Sequence, residues 1–276
     1  MALLRGLKKE KTNIMETYFE CIRGDVRIRG TEYKPEGRNL PIAIVSHGFM
    51  AFQDTVRHYA KLLAQMGYVA YCFDFSGGCV AGKGKSQGKT TDMSVMTEVK
   101  DLEAVIRYAR SKPYTNDGKI LLMGCSQGGF VSALAAARKR NHISNLVLFY
   151  PAFCIPDDAR AGKMMFAKFN PENIPDTLRC GPMKLGSRYV TDVIDMNPYD
   201  SIKDYQGEVL IVHGAEDKVV DVSYSVRAFE TYDQNTPQEF SGLKRVHMHI
   251  IENAGHGFAK KYDREAIEIL KDYVKI

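Results

Sequence analysis

The segment Gly124-Cys125-Ser126-Gln127-Gly128-Gly129 places a serine among small residues, directly after the apolar run Ile120–Met123 and directly before a stretch with helical spacing. A strand, a sharp turn and a helix in that order hold a hydroxyl at the strand tip. The helix N-terminus then aims its free N–H groups at the same point, where negative charge develops when a nucleophile attacks an acyl carbon. Glycines two residues before and after the serine let strand and helix pass without a clash. Cys125 lies beside the apex of the turn and is expected to pack beneath it.

A serine hydroxyl needs a base to take its proton, and the base needs an acid to orient it. In a strand–helix alternation both should follow at the ends of later strands. Asp217, in His213-Gly214-Ala215-Glu216-Asp217 after the run Val209–Val212, is the predicted acid. His256, between two glycines after the run His247–Ile251, is the predicted base. Glu216 and Asp221 read as solvated carboxylates, His247 and His249 as packed strand residues, and His213 as locally bonded at its strand end. The loop Ser46-His47-Gly48-Phe49 follows another apolar run and should bring the backbone N–H of Phe49 beside that of Gln127, giving an oxyanion two donors. His47 is expected to shape that loop without reacting. The stretch Cys79–Ser86 imitates a phosphate-cradling loop, but it has Cys where Gly is needed and no strand running directly into it, so it reads as a flexible basic loop. The chemistry calls for no metal and no cofactor.

Loops of this kind must hang on a scaffold. Apolar runs at 41–45, 68–73, 120–123, 146–150, 209–212 and 247–251 have the continuous character of strands buried on both faces. Helical spacing recurs at about 55–66, 92–111, 127–139, 222–232 and 262–274. Residues 17–22 and 25–33 alternate and predict an antiparallel pair at one edge. The class is therefore α/β, a mostly parallel central sheet with helices on both faces. Residues 16–151 and 205–276 form the core; 152–204, without a strong strand, is a small inserted cap or lid; 1–15 is a loose leader.

Composition narrows the partners. The chain has 276 residues and a net charge of +5, spread without a long basic block, which speaks against nucleic acid. No apolar stretch is long enough to span a membrane. The basic residues near the start follow the apolar ones, the reverse of a secretory signal. Six cysteines without a CxxC pair or zinc spacing indicate reduced thiols and a cytoplasmic setting. That leaves a small-molecule substrate as the expected partner, with a homodimer as an option.

With Ser126, Asp217 and His256 in that order and His47-Gly48 upstream, residues 16–276 resemble the α/β-hydrolase superfamily, and within it the bacterial cinnamoyl (feruloyl) esterases. The motifs that carry this are Gly-x-Ser-Gln-Gly-Gly, His-Gly-Phe at 47–49, and Asp74-Phe75-Ser76-Gly77 leading to Gly84-x-Ser86. The insertion adds Asn170-Pro171-x-x-Ile174-Pro175-Asp176 and Leu185-Gly186-x-x-Tyr189. The resemblance implies a serine carboxylesterase acting on hydroxycinnamate or similar small aryl-acyl esters. It also implies that Asp158 and Tyr189 contact a ring hydroxyl. A third contact, glutamine in some members, falls at Met165, which implies a methoxylated or less hydroxylated ring. The alternative is a monoacylglycerol lipase or other acyl hydrolase of this fold, for which Met164, Met165, Phe166 and Phe169 would line an apolar tunnel.

Overall fold

The computed structural model describes residues 13–236 and 245–275. The chain opens with β1 (Ile14–Arg23) and β2 (Val26–Pro35), paired antiparallel with Arg23 opposite Val26. It then alternates: β3 (Leu40–Ser46), α1 (Arg57–Gln65), β4 (Val69–Phe73), α2 (Val95–Arg110), β5 (Thr115–Cys125), α3 (Gln127–Arg138) and β6 (Ile143–Phe149). A segment outside the main sheet carries α4 (Ile155–Arg160), β7 (Lys163–Met164), β8 (Ala167–Lys168), β9 (Thr177–Cys180), β10 (Met183–Gly186), α5 (Arg188–Thr191) and α6 (Pro198–Ile202). The alternation resumes with β11 (Glu208–Gly214), α7 (Ser223–Gln234), β12 (Val246–Ile251) and α8 (Lys260–Val274).

The main sheet has eight strands in the order β1-β2-β4-β3-β5-β6-β11-β12. From β4 to β12 the pairing is parallel, and the opening hairpin adds antiparallel strands at one edge. Because successive side chains of a strand point to opposite faces, each central strand feeds two cores. Ile42 and Ile44 join the core under α2, α3 and α7, whereas Ala43 and Val45 join the core under α1 and α8. The same split separates Leu146 and Leu148 from Val147 and Phe149. Burial on both faces is what makes these strands read as unbroken apolar runs. Ser94 starts α2 with a capping box, its hydroxyl accepting from the Thr97 N–H at 3.1 Å while the Ser94 N–H donates to the Thr97 hydroxyl.

Two expectations change. Residues 1–12 of the expected leader lie outside the described residues, and its end is not loose: Ile14 and Met15 belong to β1, opposite Pro35 and Lys34. The insertion, expected without strong strands, contains two small antiparallel hairpins, β7–β8 and β9–β10. Strands of two to four residues offer too few alternations to register as a period in the sequence. What fixes them is tertiary: Leu178, Cys180, Leu185 and Tyr189 are buried against the core beside α2 and α3. Among the described residues no helix is long and apolar enough to cross a membrane.

Candidate active site

Ser126 sits between β5 and α3 with φ +53° and ψ −123°, outside the regions a serine ordinarily occupies. The neighbourhood holds it there. Its N–H donates to Phe149 at 2.9 Å, and its carbonyl accepts from Gly129 at 2.9 Å and from Ala152 at 3.0 Å. The turn also leaves no space behind it. A Cβ added to Gly128 would lie 2.3 Å from the His47 carbonyl oxygen and 2.6 Å from that of Ser46. Backbone cannot retreat from such a contact as a flexible side chain could. Gly128→Ala should therefore destabilise the fold by about 3 kcal/mol, the upper end of ordinary overpacking. Thermal denaturation checks this, and an unchanged midpoint would refute the close approach.

The structure brings Ser126, His256 and Asp217 together from three separate loops. His256 Nε2 lies 2.9 Å from Ser126 Oγ, and His256 Nδ1 lies 2.7 Å from Asp217 Oδ2. The His256 ring packs edge-on against Tyr150, with centroids 4.8 Å apart, and Tyr150 packs in turn on Phe258. Asp217 Oδ1 accepts from the backbone N–H groups of Val219 at 2.8 Å and Val220 at 3.0 Å. Burial alone would raise this carboxyl, but hydrogen bonds from His213, His256 and the Val220 N–H outweigh it and hold the group well below the usual carboxylate range. Asp217 is thus ionised at neutral pH. The rival carboxylates point elsewhere: Glu216 is exposed, and Asp221 caps the Ser223 N–H at 2.9 Å.

His213, expected to pack or bond locally, is buried and bonds to Ser225 and Val220 nearby. Its Nε2 lies 3.1 Å from Asp217 Oδ2, the same oxygen that faces His256, and both side chains are fully buried. The i,i+4 spacing of His213 and Asp217 was visible in the sequence, but only the bend after β11 turns it into a contact.

His47, expected to shape its loop, is fully buried with its Nδ1 2.8 Å from the Gly48 carbonyl and its Nε2 accepting the Phe75 N–H at 3.1 Å. Burial pushes its pKa down, which favours the neutral ring that this bonding requires. His47, Asp74 and Cys79 offer ligand atoms within 4.8 Å of one another. Yet His47 spends its lone pair on Phe75, and Asp74 accepts N–H groups from Gln53 at 2.7 Å and Lys85 at 2.9 Å. The cluster is a structural knot. The Lys85 contact also ties the basic loop to Asp74, leaving its backbone shaped by the protein's own carboxylate and not around a phosphate. Cys125 is buried, and burial pushes its thiol up to about 12.

Gln127 is the first residue of α3, so its N–H has no carbonyl a turn earlier to bond. The loop carrying Phe49 passes against the serine: a Cβ on Gly48 would lie 3.1 Å from Ser126 Cβ. Phe49, Ser126 and Gln127 open on one cleft, part of it open to solvent, whose other wall holds Asp158, Met165 and Tyr189. Met165 stands at the rim, 42% exposed and at φ +49°, on the turn between β7 and β8. Asp158 is half-buried with Lys163 Nζ 4.0 Å away, and burial raises its carboxyl. Tyr189 is buried, its ring 5.5 Å from that of Phe49. Its hydroxyl donates to Gln127 Oε1, while Gln127 Nε2 donates to buried Glu98 at 2.7 Å. This chain from α2 through the serine turn to the inserted segment was not legible in the sequence, because its members are 29 and 62 residues apart.

Residues 38–196 match the family described as Hydrolase_4, serine aminopeptidase S33. The chain is an α/β hydrolase of that family. The fold of this hydrolase is similar to that of Est1E from Butyrivibrio proteoclasticus, solved with ferulic acid bound: TM-score 0.81 and 27% identity over 94% of this chain and 100% of that one. A monoglyceride lipase of Rattus norvegicus is 29% identical over 140 residues, 49% of this chain and 43% of the relative. A carboxymethylenebutenolidase of Pseudomonas putida is 29% identical over 126 residues, 42% of this chain and 52% of the relative. The hydrolase thus aligns with about half the length of these curated relatives.

Proposed function

We propose that this hydrolase is a serine carboxylesterase acting on hydroxycinnamate or similar small aryl-acyl esters, with Ser126 as nucleophile, His256 as base and Asp217 as orienting acid. The observation that carries the reaction is the unbroken line of contacts at 2.9 Å and 2.7 Å from hydroxyl to imidazole to carboxylate. Asp217 holds the His256 proton on Nδ1 and so leaves Nε2 free to accept. As Ser126 Oγ bonds to the ester carbon, its proton passes to Nε2 and the carbonyl electrons move to oxygen, where the N–H groups of Phe49 and Gln127 receive the charge. Collapse expels the alcohol, which takes the proton from His256. Water then gives a proton to His256 and attacks the acyl-enzyme, and the acid leaves as Ser126 recovers its hydrogen.

For the acyl group, support comes from the cleft and from the likeness to Est1E with ferulic acid. Phe49, Ile155, Met164 and Tyr189 offer apolar walls for a ring, and Asp158 with the Tyr189 hydroxyl, whose own hydrogen is bonded to Gln127 and which is left to accept, offers polar atoms for a ring hydroxyl. In this reading residues 152–204 act as a cap that supplies specificity. Hydrolysis of methyl ferulate against a medium-chain glycerol ester tests it. The aryl ester should be preferred by tenfold or more in kcat/KM, and Asp158→Ala or Tyr189→Phe should narrow preference among ring-hydroxylated acyl groups by about tenfold, the worth of one hydrogen bond to a charged or buried partner. No change in either variant would sink the cap assignment.

A second reading, a monoacylglycerol lipase, is favoured by one observation: Met165 on the cleft wall is 42% exposed and its neighbour Phe166 is 70% exposed, an apolar surface suited to an alkyl chain. Preference for the glycerol ester would select it.

A further inference from the structure

We infer that His213 is a positioning residue for the hydrolytic site, a second imidazole that fixes the Asp217 carboxylate for His256. The inference rests on the proposed Ser126–His256–Asp217 reaction. Its geometry is independent of that reading.

His213 lies near the end of β11 and is fully buried. Its Nε2 faces two atoms that can only accept: Asp217 Oδ2 at 3.1 Å and the Val220 carbonyl oxygen at 3.0 Å. Nε2 must therefore carry hydrogen, which bonds to the Val220 carbonyl, while the same polarised N–H edge lies at ion-pair distance from Oδ2 of Asp217. Its Nδ1 faces the buried hydroxyl of Ser225 on α7 at 2.7 Å, a group able to donate to it. Oδ2 of Asp217 thus lies between two imidazoles, while Oδ1 takes two backbone N–H groups.

This arrangement does two things. First, the carboxylate cannot rotate about its Cβ–Cγ bond without losing donors from both oxygens, so the oxygen facing His256 is fixed. Second, the His213 N–H draws part of the negative charge of Oδ2 away from His256. A core histidine satisfied by any polar neighbour would not need both functions. The other titratable groups around the pair are few. Asp221 is exposed on the same loop, and Tyr150, beside His256, is kept a neutral phenol by its burial. Asp263 of α8 bonds instead to Tyr59 and His58.

The wild-type test is imidazole ¹H–¹⁵N NMR between pH 6 and 8. His213 should appear as the Nε2–H tautomer with its proton shifted downfield. The Nδ1–H tautomer would overturn the inference. The enzymatic test compares His213→Ala with His213→Gln, whose amide N–H can stand where Nε2 stands. Removing the donor leaves more negative charge for the His256 imidazolium, which then releases its proton less readily. In His213→Ala the acid limb of the kcat/KM profile should move to higher pH by roughly half a unit, and kcat should fall about tenfold with KM little changed. His213→Gln should restore most of both. A lower melting temperature with an unmoved acid limb would reduce His213 to a packing residue. If Ser126→Ala kept its activity, the reaction reading would fail instead, and the tautomer result would still stand or fall separately.

Discussion

Ser126→Ala should lower kcat for ester hydrolysis by about 10⁴–10⁶-fold, the range reached when an activated serine nucleophile is removed. Alanine has no oxygen to bond the acyl carbon, and among the described residues no other hydroxyl is hydrogen-bonded to His256 Nε2. The residual rate would come from substrate binding and from the proposed oxyanion donors, the backbone N–H groups of Phe49 and Gln127, which survive the change. The fold should survive too. The turn at Ser126 is held by backbone bonds to Phe149, Gly129 and Ala152, and the lost side-chain bond reaches only the half-open His256. Steady-state kinetics, thermal denaturation and labelling by a fluorophosphonate check the three parts. Near-normal hydrolysis by the variant would remove Ser126 from the reaction.

Asp217→Asn should cost about 10⁴-fold in kcat while preserving the side-chain shape, the scale set when a triad acid becomes an amide. The structure gives the reason atom by atom. The Val219 and Val220 N–H groups require an acceptor at the Oδ1 position, so the amide oxygen stays there. The NH₂ then takes the place of Oδ2, facing His256 Nδ1 and His213 Nε2. His256 must accept at Nδ1 and carry its hydrogen on Nε2, where it can no longer take a proton from Ser126. His213 meets a donor with a donor, so stability falls as well. The acid branch of stability supplies a second signature. Because the folded carboxyl lies below its unfolded value of about 3.9, it stabilises the fold above that pH, and the contribution fades as pH drops toward the lower folded value. Unfolding at pH 7 and at pH 3 should therefore show wild type losing more stability on acidification than Asp217→Asn. Equal losses would mean that the carboxylate is not held as described.

The local geometry around Ser126 is legible in the sequence. A small-residue turn around Ser126 needs only local backbone geometry, and the alternation of apolar runs with helical spacing needs only the two periods of strand and helix. From those, and from a histidine and an aspartate at later strand ends, the sequence pointed to a parallel α/β scaffold and to the residues of one rim. The short hairpins of the insertion escaped because two to four residues carry no measurable period. Ile14 and Met15, expected in the leader, belong to the fold because they gain their order from β2, not from their own neighbours.

The amino-acid sequence by itself determined the strand–helix order, the position of the sharp turn and which serine, aspartate and histidine stand at strand ends, since each follows from spacing within a few residues. Only the tertiary structure decided which groups share protons. It set His213 on the oxygen that faces His256, Gln127 between Glu98 and Tyr189, and His47 on the Phe75 N–H. A hydrogen bond depends on tenths of an ångström between atoms whose separation along the chain carries no information, and those distances exist only once the two cores have closed.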